Sequence, residues 1–325
     1  MSDYVVGIDL GGTNVNVGVV DAEGKVVTKH ALALNSPKTQ QDVLDGIYRA
    51  TEETLARAGM KADEMQAVGI ATPGTLDIAN GIVVQANNIP EWENVALRDL
   101  LSKRFGVPAV LENDANAAAW GEYWVGAGKD VSSMVMLTLG TGIGGGVIIE
   151  GELLHGFKDA AAEIGHMTID YRGRQCVCGN VGCLEAYASA DSTVRRFIEA
   201  VKSGKPSNLE RTVNEHPAEI TAKLIHEEAL RGDVLSRKIM EESGFYLGVG
   251  IVSILHVINP EMVVLTGGMI GAGDMLMEPL RKTVAERAVP RTREDVKIEF
   301  AMLGGDAGLI GAAGCALTGS GTSAS

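Results

Sequence analysis

Tyr4 to Asp9 reads as a strand, Val15 to Val20 alternates into a second, and Lys25 to Leu34 supplies a third before Gln40 to Ala58 switches to helical periodicity. A further strand, Gln66 to Ala71, stops at Thr72-Pro73-Gly74, and another, Pro108 to Glu112, leads into the helical run Ala115 to Trp124. This mixture predicts an α/β lobe. The opening is then echoed: Ser133 to Leu139 is a strand, Gly140 to Gly146 a glycine turn, and a returning strand begins over Gly146 to Ile149. A strand, glycine turn and strand thus recur about 130 residues apart, which predicts a duplicated lobe with a cleft between the copies. Mostly helices follow, at Ser189 to Lys202, Ala218 to Arg231 and Val234 to Ile258. A strand from Met262 to Thr266 stops at Gly267-Gly268, and strand Val296 to Ala301 and a helix from Ala307 finish the pattern.

Composition narrows the classes. A chain of 325 residues, 46% hydrophobic, is long enough for two lobes. The formal charge is −14, and no stretch interleaves basic residues with aromatics, so nucleic-acid and anionic-membrane partners are not expected. An anionic nucleotide stays open, because backbone N–H groups and helix N-termini hold phosphates without a basic surface. The longest apolar stretch, Phe245 to Ile258, is too short to span a bilayer and reads as a core helix. Met1 to Leu10 carries no secretory pattern, which leads to the expectation of a cytoplasmic protein.

Two glycine turns carry candidate chemistry. In Asp9-Leu10-Gly11-Gly12-Thr13-Asn14 the turn amides can face a phosphate, and a plain hairpin explains the spacing equally well until the strand-end carboxylate of Asp9 is counted. That carboxylate can hold a magnesium-bound water. The second segment, Leu139 to Gly146, adds the Thr141 hydroxyl to five glycines and fits neither a P-loop nor a dinucleotide turn, since a strand follows it. Glu112-Asn113-Asp114-Ala115-Asn116-Ala117 clusters polar groups at a helix start, and a helix cap needs only one of them.

Three of the four cysteines fall within eight residues, which in a reducing compartment favours metal ligation over disulfides. His166, Cys176, Cys178 and Cys183, turned by Gly179 and Gly182, make a closed four-ligand set of the structural zinc type, on a segment expected to be exposed. Cys315 reads as a small buried side chain. Folding around zinc should bring Glu163 and Glu185 near the imidazole, whose second nitrogen must carry a proton if the first binds metal.

Together these segments resemble the ROK family of sugar kinases and sugar-responsive repressors, from Asp9 to about Ala313. D-L-G-G-T-N and L-G-T-G-I-G-G-G look like its phosphate elements, E-N-D-A-N-A like its catalytic strand end, and E-I-G-H with C-V-C-G-N-V-G-C-L-E like its signature and zinc site. Within the family the resemblance is greatest to bacterial glucokinases, which move the γ-phosphate of ATP to glucose with magnesium. It implies an α/β, actin-like ATPase (ribonuclease H-like) fold of two lobes. Residues 1–116 with 309–325 would form the smaller lobe, and 117–308 the larger, carrying the zinc loop and a helical insertion.

The resemblance further implies Asp114 as general base, with Gly74, Asn88, Asn113, Glu163, His166 and Glu185 as hexose ligands. It implies Gly11, Gly12, Thr13, Asn14, Thr141 and Gly142 at the ATP phosphates, Gly267 and Gly268 near the adenosine, and Asp9 positioning magnesium. A homodimer or homotetramer is implied in the same way. With eight residues before Asp9, a DNA-binding repressor is not expected. Phosphorylation of N-acetylmannosamine or fructose, and a non-catalytic sugar sensor acting through a partner, are the competing readings.

Overall fold

The computed structural model describes residues 4–34, 39–86, 89 and 91–319. The chain divides into two compact units, one of Met1–Met134, Gly146–Ala162 and Ala301–Ser325, the other of Val135–Gly145 and Glu163–Phe300.

The first unit opens with β1 (Tyr4–Leu10), β2 (Asn14–Asp21) and β3 (Val26–Ala33), followed by α1 (Gln40–Ala58) and β4 (Val68–Thr72). Three short strands, β5 (Thr75–Asp77), β6 (Ile82–Gln85) and β7 (Glu93–Val95), make a small antiparallel sheet before α2 (Leu97–Phe105), β8 (Ala109–Asn113) and α3 (Asp114–Val125). The main sheet runs β3-β2-β1-β4-β8, antiparallel through the two hairpins and parallel from β1 to β4 to β8.

Alternation along β1 assigns its two faces. Val6, Ile8 and Leu10 join Val43, Leu44, Ile47 and Ala50 of α1 in one core, while Val5 packs with Leu309, Ile310 and Ala313 of the last helix. A capping box between Thr39 and Asp42 starts α1, and left-handed Gly59 ends it. The register aligns Asp9 with Ala71 and Ala71 with Glu112, so the carboxyl ends of three parallel strands finish side by side. In open α/β sheets such ends are where ligands bind.

Downstream lie β9 (Met134–Leu139), β10 (Ile143–Ile149) and β11 (Glu152–Leu153), then α4 (Glu185–Ala188), α5 (Ala190–Lys202), α6 (Glu210–Glu215), α7 (Ala222–Leu230) and α8 (Val234–Val257). The chain ends through β12 (Met262–Thr266), α9 (Asp274–Arg287), α10 (Pro290–Arg293), β13 (Lys297–Phe300) and α11 (Ala307–Thr318). The second sheet has the order β11-β10-β9-β12-β13, which repeats the first strand for strand.

Helix α11 lies almost on the backbone of the first sheet. A Cβ on Gly7 would overlap the carbonyl of Leu309, and one on Gly69 the carbonyl of Ala312. Asp233 caps α8, accepting from the amides of Leu235 and Ser236. No helix among the described residues is long and apolar enough to cross a membrane.

Several elements depart from the sequence reading. The returning strand begins at Ile143 rather than Gly146, because Gly144 to Gly146 are already strand, and Gly146 lies against Ala115 and Ala119 of α3. The strands β5 to β7 and helices α2 and α9 were not anticipated. Pro279 sits inside α9, where proline ordinarily signals a break.

Candidate functional site

In the first unit the polar groups gather at the carboxyl ends of β1, β4 and β8. Asn113 ends β8 in extended conformation and caps α3, its Oδ1 accepting from the amides of Ala115 at 2.9 Å and Asn116 at 3.2 Å. Capping thus occupies the carbonyl end of Asn113 and leaves its amide nitrogen to other partners. Asp114 Oδ1 accepts from the Ala115 amide at 2.8 Å. Water reaches the Asp114 carboxylate, but protein packed on its remaining sides pushes the pKa above the ordinary carboxylate range, a rise that hydrogen bonds from Ala115 and Asn113 offset in part.

Asp9, across the hairpin from Asn16, accepts a hydrogen bond from Asn16 Nδ2 at 3.3 Å. Burial raises its pKa, the Asn16 bond lowers it, and the charge of Asp114 raises it further. The hairpin register alone was enough to pair Asn16 with Asp9, and the sequence reading passed over it.

Glu112, one residue before Asn113, is almost wholly buried. Its Oε1 accepts from the Asn113 amide at 2.9 Å and from Asn116 Nδ2 at 3.0 Å, and its Oε2 lies 2.8 Å from His155 Nε2. The hydrogen bond to Glu112 raises the pKa of His155 against the opposing effect of burial. No motif flagged His155, because 43 residues separate it from Glu112 and only the fold joins them.

Gly74 has a left-handed φ of 114°, and a Cβ there would overlap the carbonyl of Gln85, so the turn after β4 needs glycine for its own sake. Asn88 lies outside the described residues. Gly12, Thr13 and Asn14 are exposed at the tip of the first hairpin, which the Gly11 amide closes by donating to the Asn14 carbonyl at 2.9 Å.

The second unit holds the remaining predicted residues. Neither glycine turn adopts a left-handed φ, so tight turning is not what their glycines supply. Among the described residues no atom lies within 4 Å of a Cβ built on Gly140, and the same holds for Gly268. Open space beside a glycine suits the approach of a ligand. Gly267 differs, since its φ is 94° and a Cβ would overlap the backbone of Leu139. Thr141 is exposed, and a Cβ on Gly142 would overlap Glu185 Oε2.

Glu185, at the start of α4, accepts from the Ile143 amide at 2.8 Å through Oε2, while its Oε1 is 3.8 Å from Cys176 Sγ. It therefore ties the second glycine turn to the cysteine loop. Glu163 is exposed, with Oε2 3.9 Å from His166 Nε2.

The ligand atoms of His166, Cys176, Cys178 and Cys183 lie within 4.8 Å of one another. Cys178 Sγ is 3.7 Å from Cys183 Sγ, and His166 Nδ1 is 3.8 Å from Cys176 Sγ. Zinc–sulfur bonds of about 2.3 Å put the edges of a tetrahedron near 3.8 Å, so the four groups fit a closed zinc site. Gln175 and Val177 to Asn180 are exposed, as expected of this segment, while the side chains of Cys176 and Cys183 are buried beneath it. Burial, reinforced by the neighbouring thiols, pushes Cys183 up to about 12, and burial raises Cys176. Cys178 is lowered, chiefly by a hydrogen bond from the backbone of Asn180.

Two bridges, Thr168 with Cys183 and Gln175 with Val181, hold the loop in shape, and the amides of Cys176 and Gly182 donate to the carbonyls of Asn180 and Arg174. With Nδ1 turned to the thiols, His166 presents Nε2 toward Glu163.

The sequence pattern of the ROK family matches residues 5–318. The chain belongs to the ROK family. A glucokinase of Thermotoga maritima is 39% identical over 312 residues, covering 95% of this chain and 96% of that protein. A putative xylose repressor of Caldicellulosiruptor sp. is 32% identical over 94% of this chain and 76% of its own length. The crystal structure of a ROK family glucokinase from Streptomyces griseus in complex with glucose and AMPPNP is similar at 34% identity and a TM-score of 0.79, covering 97% of this chain and 99% of that one.

Proposed function

We propose that this protein is an ATP-dependent glucokinase in which Asp114 is the general base. The observation that carries the reading is the meeting of Asp114 and Asp9 at the carboxyl ends of parallel strands, near enough for the charge of one to raise the pKa of the other. Likeness over almost the full length to a glucokinase whose structure holds glucose and AMPPNP supports it.

On this reading Asp114 accepts the proton of the hexose 6-hydroxyl as its oxygen bonds to the γ-phosphorus and the bond to the departing ADP breaks. An ionised carboxylate suffices even with a modest pKa, because phosphoryl transfer is largely dissociative and the proton leaves late. The amide nitrogen of Asn113, free of the capping bond, donates to a neighbouring hydroxyl. Gly74, Asn88, Glu163, Glu185 and the Nε2 of His166 complete the hexose contacts.

The nucleotide is assigned to the two turns, with Gly11, Gly12, Thr13, Asn14, Thr141 and Gly142 facing its phosphates and Gly267 and Gly268 its adenosine. A half-buried Asp9 whose ionisation the charge of Asp114 opposes fits a cation brought in with ATP, and Asp9 would hold magnesium through water. Magnesium supplies charge neutralisation on the phosphates. Zinc on His166, Cys176, Cys178 and Cys183 supplies a cross-link and no open position. Assembly as a homodimer or homotetramer and a cytoplasmic location complete the proposal.

The test is ADP release over glucose, mannose, fructose, N-acetylglucosamine and N-acetylmannosamine. Turnover with glucose at the highest kcat/KM is expected, and absence of turnover with every hexose would overturn the reading.

A further inference from the structure

We propose that His155 is a positioning residue for phosphoryl transfer, holding the buried Glu112 carboxylate that in turn fixes the turn carrying Asn113 and Asp114. The inference rests on Asp114 being the base. Both oxygens of Glu112 are engaged: Oε1 by the amide of Asn113 and the side chain of Asn116, Oε2 by His155. The first two partners belong to the turn itself, so they cannot anchor it to anything else. His155 alone among the three comes from a distant segment, the loop after β11.

That loop is itself fixed. The Ala161 amide donates to the His155 carbonyl at 3.0 Å, and Asp159 Oδ2 accepts from the Ile78 amide at 2.9 Å, just after β5. His155 and Asp159 therefore tie the end of β8, which is followed by Asp114, to the end of β5 in the small sheet, which begins just after Gly74. Removing His155 leaves a buried carboxylate oxygen without its partner, and such a group is relieved by shifting or by admitting water. A shift of Glu112 moves the amide of Asn113 directly, and with it the cap and the carboxylate of the next residue. Small displacements of catalytic groups from remote changes cost about 100-fold in rate.

The experiment compares His155→Ala, His155→Gln and Asp114→Asn in the full chain. His155→Ala is expected to lower kcat about 10- to 100-fold, with KM for ATP little changed. His155→Gln places an amide donor where Nε2 stood and is expected to recover most of the rate. Amide hydrogen exchange at Ala115 and Asn116, whose N–H groups Asn113 caps, should speed up in His155→Ala and return toward the wild-type rate in His155→Gln. If His155→Ala fails to fold, His155→Asn, a donor of shorter reach, takes its place with the same expectation.

A kcat within twofold of wild type in the Ala or Asn variant overturns the proposal, as does a Gln variant as slow as Ala. If the wild type phosphorylates no hexose, the glucokinase reading fails and the exchange rates still decide: unchanged exchange at Ala115 and Asn116 refutes the positioning role, and faster exchange with rescue by Gln sustains it.

Discussion

On the proposed reading, Asp114 costs stability and supplies function together. Its pKa is raised above the ordinary carboxylate value, chiefly by burial. For a carboxylate shifted in this direction, the favourable contribution to folding is present below the ordinary pKa and is lost as pH rises through the raised folded value. At neutral pH the ionised group is therefore a burden on the fold, while it is the form a general base requires. Asp114→Asn should cut kcat about 10²- to 10⁴-fold, leave hexose affinity largely intact, and raise the melting temperature by a few degrees at pH 7. The melting advantage should shrink as pH falls toward the carboxylate range. A variant retaining more than a tenth of wild-type kcat, measured by coupled ADP release, would remove Asp114 from the role of base, and a lowered melting temperature would show that its ionised form is not a burden. The same neighbourhood marks the reach of sequence reasoning at this scale. Glu112, Asn113 and Asp114 stand together in the chain and could be singled out, whereas His155 could not, since nothing in a loop histidine announces a carboxylate 43 residues away.

Among the elements, those with strong periodicity or an unmistakable stop were legible from the residues alone. Gln40 to Ala58, Met262 to Thr266 and the helix from Ala307 fall where the pattern placed them, because each couples a regular apolar repeat to a sharp boundary. The strands β5 to β7 are only three or four residues long, too short for alternation to register, and α2 starts without a side-chain cap. Gly144 to Gly146 disguised the start of β10, since glycine ordinarily weakens a strand, and Gly146 here makes room for α3. Close packing of backbones is what such glycines encode, and α11 is the sharpest case. On Gly69 a Cβ would overlap the carbonyl of Ala312, and on Gly311 the carbonyl of Ala117, so α11 has no freedom to retreat from both β4 and α3. Gly69→Ala should therefore destabilise the protein by about 1–3 kcal/mol, in the range of core overpacking, seen as a lowered midpoint in urea with an unchanged slope. A midpoint equal to wild type would mean that α11 can shift.

At the scale of the whole molecule, the repeated strand order of the two sheets is the feature the sequence announced through its two glycine turns, and the metal loop is an addition that belongs to neither sheet. That position sets what metal removal should do. In a zinc finger the metal stands in for a core, and the apo chain is unfolded. Here the second unit has its own apolar interior, built from residues such as Leu247, Ile251 and Ile254 of α8 and Val263 to Leu265 of β12, and the four ligand residues span only 166 to 183. Loss of metal should leave that interior standing and release the loop. The release has a defined route outward: Cys183 is two residues from Glu185, and Glu185 holds the Ile143 amide at the second glycine turn. Chelation should accordingly weaken hexose binding by about tenfold or more, as loss of an outer support of a site commonly does. Faster hydrogen exchange should appear at Ile143 and at Ile169 and Gly182, whose amides close the loop, while β1, β4 and β8 stay protected. Calorimetry with glucose on protein verified as metal-free checks the first expectation, and unchanged affinity would contradict it. Complete unfolding on chelation would contradict the second, and would make the metal a core of this unit rather than a brace on one of its loops.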